Sequence, residues 1–217
     1  MAAGSGVATA CSSTPDTNGV AAKILGHFAE AIDWSDPEQA LDTAGAALSE
    51  LAADSALLVE AIDQLSVDQL EPELGGGGAY WFGLARSEEA DLSIWLRFCP
   101  TGCVAPAHMH RSDILALVVA GTFKQKLIGL GGGVASPDSP TKLFVRHERP
   151  GQVFALNTRQ EHETSSTAGS LLLAVTPTKA TDRDGAASVD GELEGKAETA
   201  IRRLQRAARS IFTERTA

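Results

Sequence analysis

From Ala79 to Pro177 the chain is a series of short aromatic, β-branched or apolar runs cut by turn residues. AYWFGLAR (79–86) and DLSIWLRFC (91–99) have strand composition and flank the polar turn Ser87–Ala90. Leu92, Ile94, Leu96 and Phe98 alternate with Trp95 and Arg97, so the two sets face opposite sides of a strand. DILALVVA (113–120) is almost continuously apolar and reads as a strand buried on both faces. Gly121 turns the chain into Thr122–Leu130, and TKLFVRH (141–147), QVFAL (152–156) and SLLLAVT (170–176) follow as further strands around a Gly/Pro/Ser loop at 131–140. Short strands at this spacing predict an all-β sandwich or barrel.

Chemistry enters at GCVAPAHMHRSDILALVVAG, residues 102–121. His108 and His110 stand two apart, so an extended segment over Pro106–Arg111 aims both imidazoles at one point, as a bound metal requires. His162 follows the apolar run of PGQVFALNTRQEH and supplies a third imidazole. Inward parity from His108 and His110 continues through Ser112, Ile114, Ala116 and Val118. Asp113 points away unless a bulge turns it in. His147, beside Glu148, is a substitute ligand candidate. Glu161 and Glu163 flank His162 on the opposite face, where either could hold an imidazole N–H.

The same stretch resembles the first motif of the cupin family: Gly102, five residues, His108-Met109-His110, and a closing Gly121. Pro150, Gly151 and His162 look like a loose second motif. The family's glutamate ligand falls on Ile114 or Leu115, neither of which binds metal. The resemblance covers 79–177 and implies a mainly β, cupin-type jelly-roll barrel. It is to the three-histidine subset of the family, which includes thiol dioxygenases and diketone- or acetophenone-cleaving dioxygenases. It also implies that Phe123 and Gln125 point inward after Gly121, with Lys124 and Lys126 facing solvent, and that the protein is a homodimer.

The flanks are helical. Residues 1–19 read as a disordered leader without signal-peptide character, and 20–74 as a helical N-terminal extension. Within it, Val20, Ile24, Phe28 and Ile32 make one stripe running to Trp34, with His27 packed beside it. Ser35-Asp36-Pro37-Glu38 is a capping-box pattern opening a second helix to Ala53, and Asp54-Ser55 opens a third. This extension could pack on the barrel, dimerise, or cover its mouth. Glycines 75–78 mark the boundary with the barrel at 79–177. A linker over 178–189 precedes a C-terminal helix over 190–217, with Ile201, Leu204 and Ala208 on its apolar side.

A formal net charge of −10 opposes nucleic-acid and anionic-membrane partners, which need a basic face. No apolar run approaches the roughly 20 residues of a membrane span. Three cysteines, an odd number, argue against a disulfide framework and for the cytoplasm. Cys99 and Cys103 read as small buried thiols, Cys103 being near enough to the metal strand to touch a substrate.

Three neutral imidazoles leave a divalent ion its full charge, which favours an anionic chelating substrate. With Fe(II) this gives a dioxygenase acting on a thiol, diketone or hydroxyketone. With Zn²⁺ or another divalent metal it gives a lyase, isomerase or hydrolase. Without turnover the same barrel would be a small-molecule-binding or regulatory protein. The metal set is His108, His110 and His162. The substrate side is Gln125, Phe123 and Arg97, the last for a substrate carboxylate. Trp81, Phe82 and Trp95 are assigned to the core.

Overall fold

A computed structural model describes residues 17–71, 78–128, 143–158, 160–178 and 191–213. The leader to position 16, most of the glycine boundary, the 131–140 loop and the linker from 179 lie outside these residues. The elements in chain order are α1 (Thr17–Gly26), α2 (Pro37–Ala53), α3 (Ser55–Asp63), a 3₁₀ turn (Val67–Gln69), β1 (Tyr80–Ser87), β2 (Leu92–Cys99), β3 (Cys103–His108), β4 (Ile114–Ala120), β5 (Phe123–Ile128), β6 (Leu143–Glu148), β7 (Val153–Leu156), β8 (Glu161–Ser166), β9 (Ser170–Thr176) and α4 (Gly191–Thr213).

All named strand pairs are antiparallel. One sheet has the order β1-β2-β9-β4-β7 and the other β3-β8-β5-β6. With β1 set aside as an added edge, the eight remaining strands form the two four-stranded sheets of a jelly roll. This is the cupin-type barrel the motif resemblance implies.

Alternation along the strands divides the apolar residues into two cores. Trp81, Trp95, Ile114, Ala116, Val118, Leu172 and Ala174 of the five-stranded sheet meet Phe123 and Leu127 of the opposite sheet between the two. Phe82, Leu92, Ile94, Leu96, Phe98, Leu115, Leu117, Leu171 and Leu173 point the other way and are buried under the helices. That explains why β2, β4 and β9 are buried on both faces, whereas β5 alternates buried with exposed or half-buried positions. The helical extension therefore covers the back of the five-stranded sheet. Ile24, Leu48, Leu51, Leu58 and Ile62 are fully buried there, joined by Ala197, Leu204, Ala208 and Phe212 of α4.

Four local expectations change. α1 stops at Gly26, eight residues before Trp34, because glycine weakens the helix interior. The amides of His27 and Phe28 close the end with i−3 bonds to the carbonyls of Ile24 and Leu25. The N-cap of α2 is Asp36 rather than Ser35. Asp36 Oδ1 accepts from the amides of Glu38 and Gln39, while Ser35 is held by Asp33. β3 ends at His108, leaving His110 in irregular chain. β8 is an additional strand whose sequence, EHETSS, carries no apolar alternation.

The glycines bracketing the histidine motif have steric reasons to be there. Gly102 and Gly121 both have left-handed backbone, at φ +80° and +75°. A Cβ on Gly102 would stand 2.8 Å from the Ser166 carbonyl oxygen, and one on Gly121 2.6 Å from Ser170 Cβ. Both turns let β3 and β5 lie against the neighbouring strand ends without side-chain interference.

Candidate metal centre

His108 and His162 are register partners across β3 and β8. The β3–β8 register slips between Ala105 and His108, around Pro106, which has no N–H to give to a ladder. Beyond His108 the chain leaves the sheet, and His110 turns to the same point from outside β3. The three ring centroids lie 4.4–4.9 Å apart, and the nearest ring nitrogens all fall within 4.8 Å of one another. No carboxylate belongs to this group among the described residues.

Hydrogen bonding fixes the tautomer of two rings. Nδ1 of His108 lies 2.7 Å from the Pro106 carbonyl oxygen, and Nδ1 of His162 lies 3.2 Å from that of Gln160. A carbonyl oxygen can only accept, so in each ring Nδ1 carries the proton and Nε2 presents a lone pair. His162 is 1% exposed, and its Nε2 is buried without a hydrogen-bond partner. An orphaned buried acceptor facing two further imidazoles is the mark of a site built to hold something. The orienting partners are thus backbone carbonyls, not Glu161 or Glu163. Glu161 is exposed, and Glu163 pairs with Lys126 at 2.6 Å, so Lys126 is less free than expected.

Burial favours the neutral form of His110 and His162. His110 is pushed down to about 3, first by burial and then by His162, His108 and Arg97. His162 is also lowered, chiefly by burial, against the opposing bond to the Gln160 carbonyl. Neutral imidazole is the ligand form, so protons compete weakly with a metal here. Metal-free protein should show the cost of these neutral rings in acid. Below 6.5 an unfolded histidine takes up a proton that folded His110 refuses until about 3. Its contribution to stability is therefore complete above pH 6.5 and lost as pH falls. Between pH 6.5 and 5 one such histidine costs roughly 1.5 kcal/mol. Urea titrations of chelator-treated protein should show this fall, and His110→Asn should flatten it.

Of the residues expected inward, Arg97, Phe123, Gln125 and Ala116 line a cavity of about 220 Å³ with the three histidines, Trp81, Phe154 and Leu172, while Ser112 and Val118 are not in its wall. Ile114, where the family motif has glutamate, is also in the wall. Trp81, assigned to the core, serves both core and wall. Gln125 is 1% exposed and accepts a hydrogen bond from Thr164 Oγ1 at 2.7 Å, so a protein group, not only a ligand, satisfies it. Thr164 was not anticipated; it stands two residues after His162 on the same face of β8. Neither candidate fourth ligand joins the cluster. Asp113 Oδ1 accepts from the Thr158 amide at 3.1 Å, and His147 is exposed on β6 opposite Lys124.

Arg97 is 5% exposed, yet no carboxylate pairs with it among the described residues. Its guanidinium lies 5.7 Å from the Trp81 ring centroid and 5.1 Å from that of Phe123, and Nη2 is 2.9 Å from Cys103 Sγ. Nη1 is buried without a partner. A cation so placed leaves the cavity electrostatically ready for an anion.

No protein-family model matches the sequence, and no curated protein matches it either. Among solved structures, the chain is similar to an RmlC-like cupin from Shewanella frigidimarina, at 18% identity over 48% of this chain and 78% of that one, with a TM-score of 0.36. KdgF from Halomonas sp. is similar at 24% identity over 49% and 82%, TM-score 0.36. Oxalate decarboxylase from Bacillus subtilis is similar at 15% identity over 48% and 26%, TM-score 0.37. The fold assignment stands on the strand order above and not on these likenesses. No helix among the described residues is long and apolar enough to cross a membrane.

Proposed function

We propose that the chain is a metal-dependent enzyme, a non-haem Fe(II) dioxygenase in which His108, His110 and His162 hold the metal and a small chelating anion is the substrate. The observation that carries this reading is the buried, unpartnered Nε2 of His162 beside two imidazoles. Three neutral nitrogen donors suit iron or zinc, and the bound ion would supply a doubly charged centre with positions open to a chelating substrate and O₂.

The protein's own residues narrow the substrate. At about 220 Å³ the cavity is below the roughly 300–1,000 Å³ of pockets for drug-sized ligands. Its walls are mostly apolar, with Arg97 the buried cation and Gln125 the buried amide. A small thiol, diketone or hydroxyketone bearing a negative charge fits this lining, its anionic group turned to Arg97 and its apolar part against Phe123.

The test is O₂ uptake by Fe(II)-reconstituted protein against panels of these three classes. Turnover with one class, lost in His110→Ala, supports the reading. For that substrate Arg97→Met should raise KM by roughly 10–100-fold, the worth of a charged hydrogen bond, with kcat less affected. Turnover supported by zinc without O₂ consumption would replace it with a lyase or hydrolase.

A further inference from the structure

At the other end of Arg97 lies a group that the metal chemistry does not use. Cys99 ends β2 and Cys103 begins β3, joined by the turn Pro100-Thr101-Gly102, and their sulfurs are 3.0 Å apart. That is closer than two thiols rest without a shared proton. Cys103 Sγ also lies 2.9 Å from Arg97 Nη2 and 3.0 Å from Ser166 Oγ. The sulfur thus accepts from a guanidinium and is in contact with a thiol and a hydroxyl, each able to donate to it.

We infer that Cys99 and Cys103 form a redox-active dithiol, in which hydrogen peroxide oxidises the Cys103 sulfur and Cys99 then closes a disulfide. Several observations meet on this assignment. Arg97 is a buried cation without a carboxylate partner, and a Cys103 thiolate would lie 2.9 Å from its Nη2, leaving Nη1 for a second acceptor. The thiol of Cys103 is held down to about 5, first by the hydrogen bond from Cys99, with Arg97 and Ser166 adding to it against burial. Cys99 is raised, first by its bond to Cys103 and then by burial, so it is the member that keeps the proton. The titratable groups acting on Cys103 among the described residues are these two, Arg97 and Cys99. The unpartnered Nη1 of Arg97 is a free donor for a peroxide oxygen.

The steps balance. The Cys103 thiolate attacks one peroxide oxygen; an S–O bond forms, the O–O bond breaks, and the departing oxygen leaves as water after taking a proton. Cys103 is then a sulfenic acid, neutral, and the anion that kept the Cys99 proton in place is gone. Cys99 gives up its proton, its sulfur attacks Cys103 sulfur, the S–S bond forms, the S–O bond breaks, and the hydroxide leaves as water. Two thiols are oxidised and one peroxide is reduced to two waters. Closing the 3.0 Å gap to a bond needs a movement of about 1 Å in the Pro100–Gly102 turn. The disulfide also removes the anion facing Arg97, so the redox state changes the charge presented to the cavity.

The experiment is peroxide treatment of the reduced full-length protein, thiol blocking and tryptic mapping. Both cysteines fall in one peptide, 98–111, and fragment ions separate their oxidation from that of exposed Met109. The expected product is this peptide unblocked and lighter by two hydrogens. In Cys99→Ser the oxidised Cys103 should be trapped by dimedone on the same peptide. Alkylation of native Cys103 should change little between pH 7.5 and 5.5, where an ordinary thiol slows about a hundredfold. Peptide 98–111 recovered fully blocked after oxidation confined to Cys11 would overturn the assignment. So would an alkylation rate that falls with pH like a free thiol. The wild-type map decides even if the serine variant fails to fold.

Discussion

Gly121→Ala is expected to lower the stability of the folded chain by about 2–5 kcal/mol, the sum of a left-handed backbone forced on a Cβ and an overpacked contact. Gly121 sits at φ +75°, and the added carbon would lie 2.6 Å from Ser170 Cβ and 2.8 Å from Ser170 Cα. Ser170 opens β9, which lies between β2 and β4, so the contact cannot relax by swinging a free side chain aside. Gly151 is the internal control. Its φ is +85°, but a Cβ there meets nothing within 4 Å. Gly151→Ala should therefore cost only the backbone part, about 1–2 kcal/mol. Urea denaturation of both variants measures the difference, and equal losses would show that packing against β9 is not what requires Gly121.

The second large effect is expected at His162. Saturating wild-type protein with a divalent metal at about a thousandfold over Kd adds about 4 kcal/mol to folding, or roughly 8–16 °C in Tm for a chain of this size. In His162→Ala that shift should vanish, because the ring most enclosed in the barrel is gone. The metal-free variant should be spared much of the usual penalty for truncating a core side chain. The wild-type ring keeps an unpartnered buried nitrogen that the substitution removes. Scanning calorimetry with and without metal separates the two contributions. An undiminished metal shift in His162→Ala would place the ion elsewhere.

Most of the barrel was legible because burial and period agree in it. Along β2, Leu92, Ile94, Leu96 and Phe98 face the helices while Trp95 and Arg97 face the interior, as strict alternation requires. Parity likewise carried Ile114, Ala116 and Val118 inward after the histidines. It failed where function displaces hydrophobicity. β8 places His162 and Thr164 in the interior, so a strand with a buried face carries no apolar pattern to find. Two imidazoles on one strand face require an extended segment, yet β3 shifts register around Pro106 and ends at His108, so His110 reaches the site from irregular chain. At the N-cap of α2 two polar residues competed one position apart, and only the direction of the side chains chose Asp36. The Cys99–Cys103 contact depends on how one turn closes between two sheets, which spacing alone leaves open.

Elemental analysis of protein purified without added metal, for wild type and His108→Ala, tests the central claim most directly. The proposed function predicts iron near one atom per wild-type chain and its loss in the variant. Wild-type protein that retains no metal, even after reconstitution with Fe(II) and Zn²⁺, would contradict it.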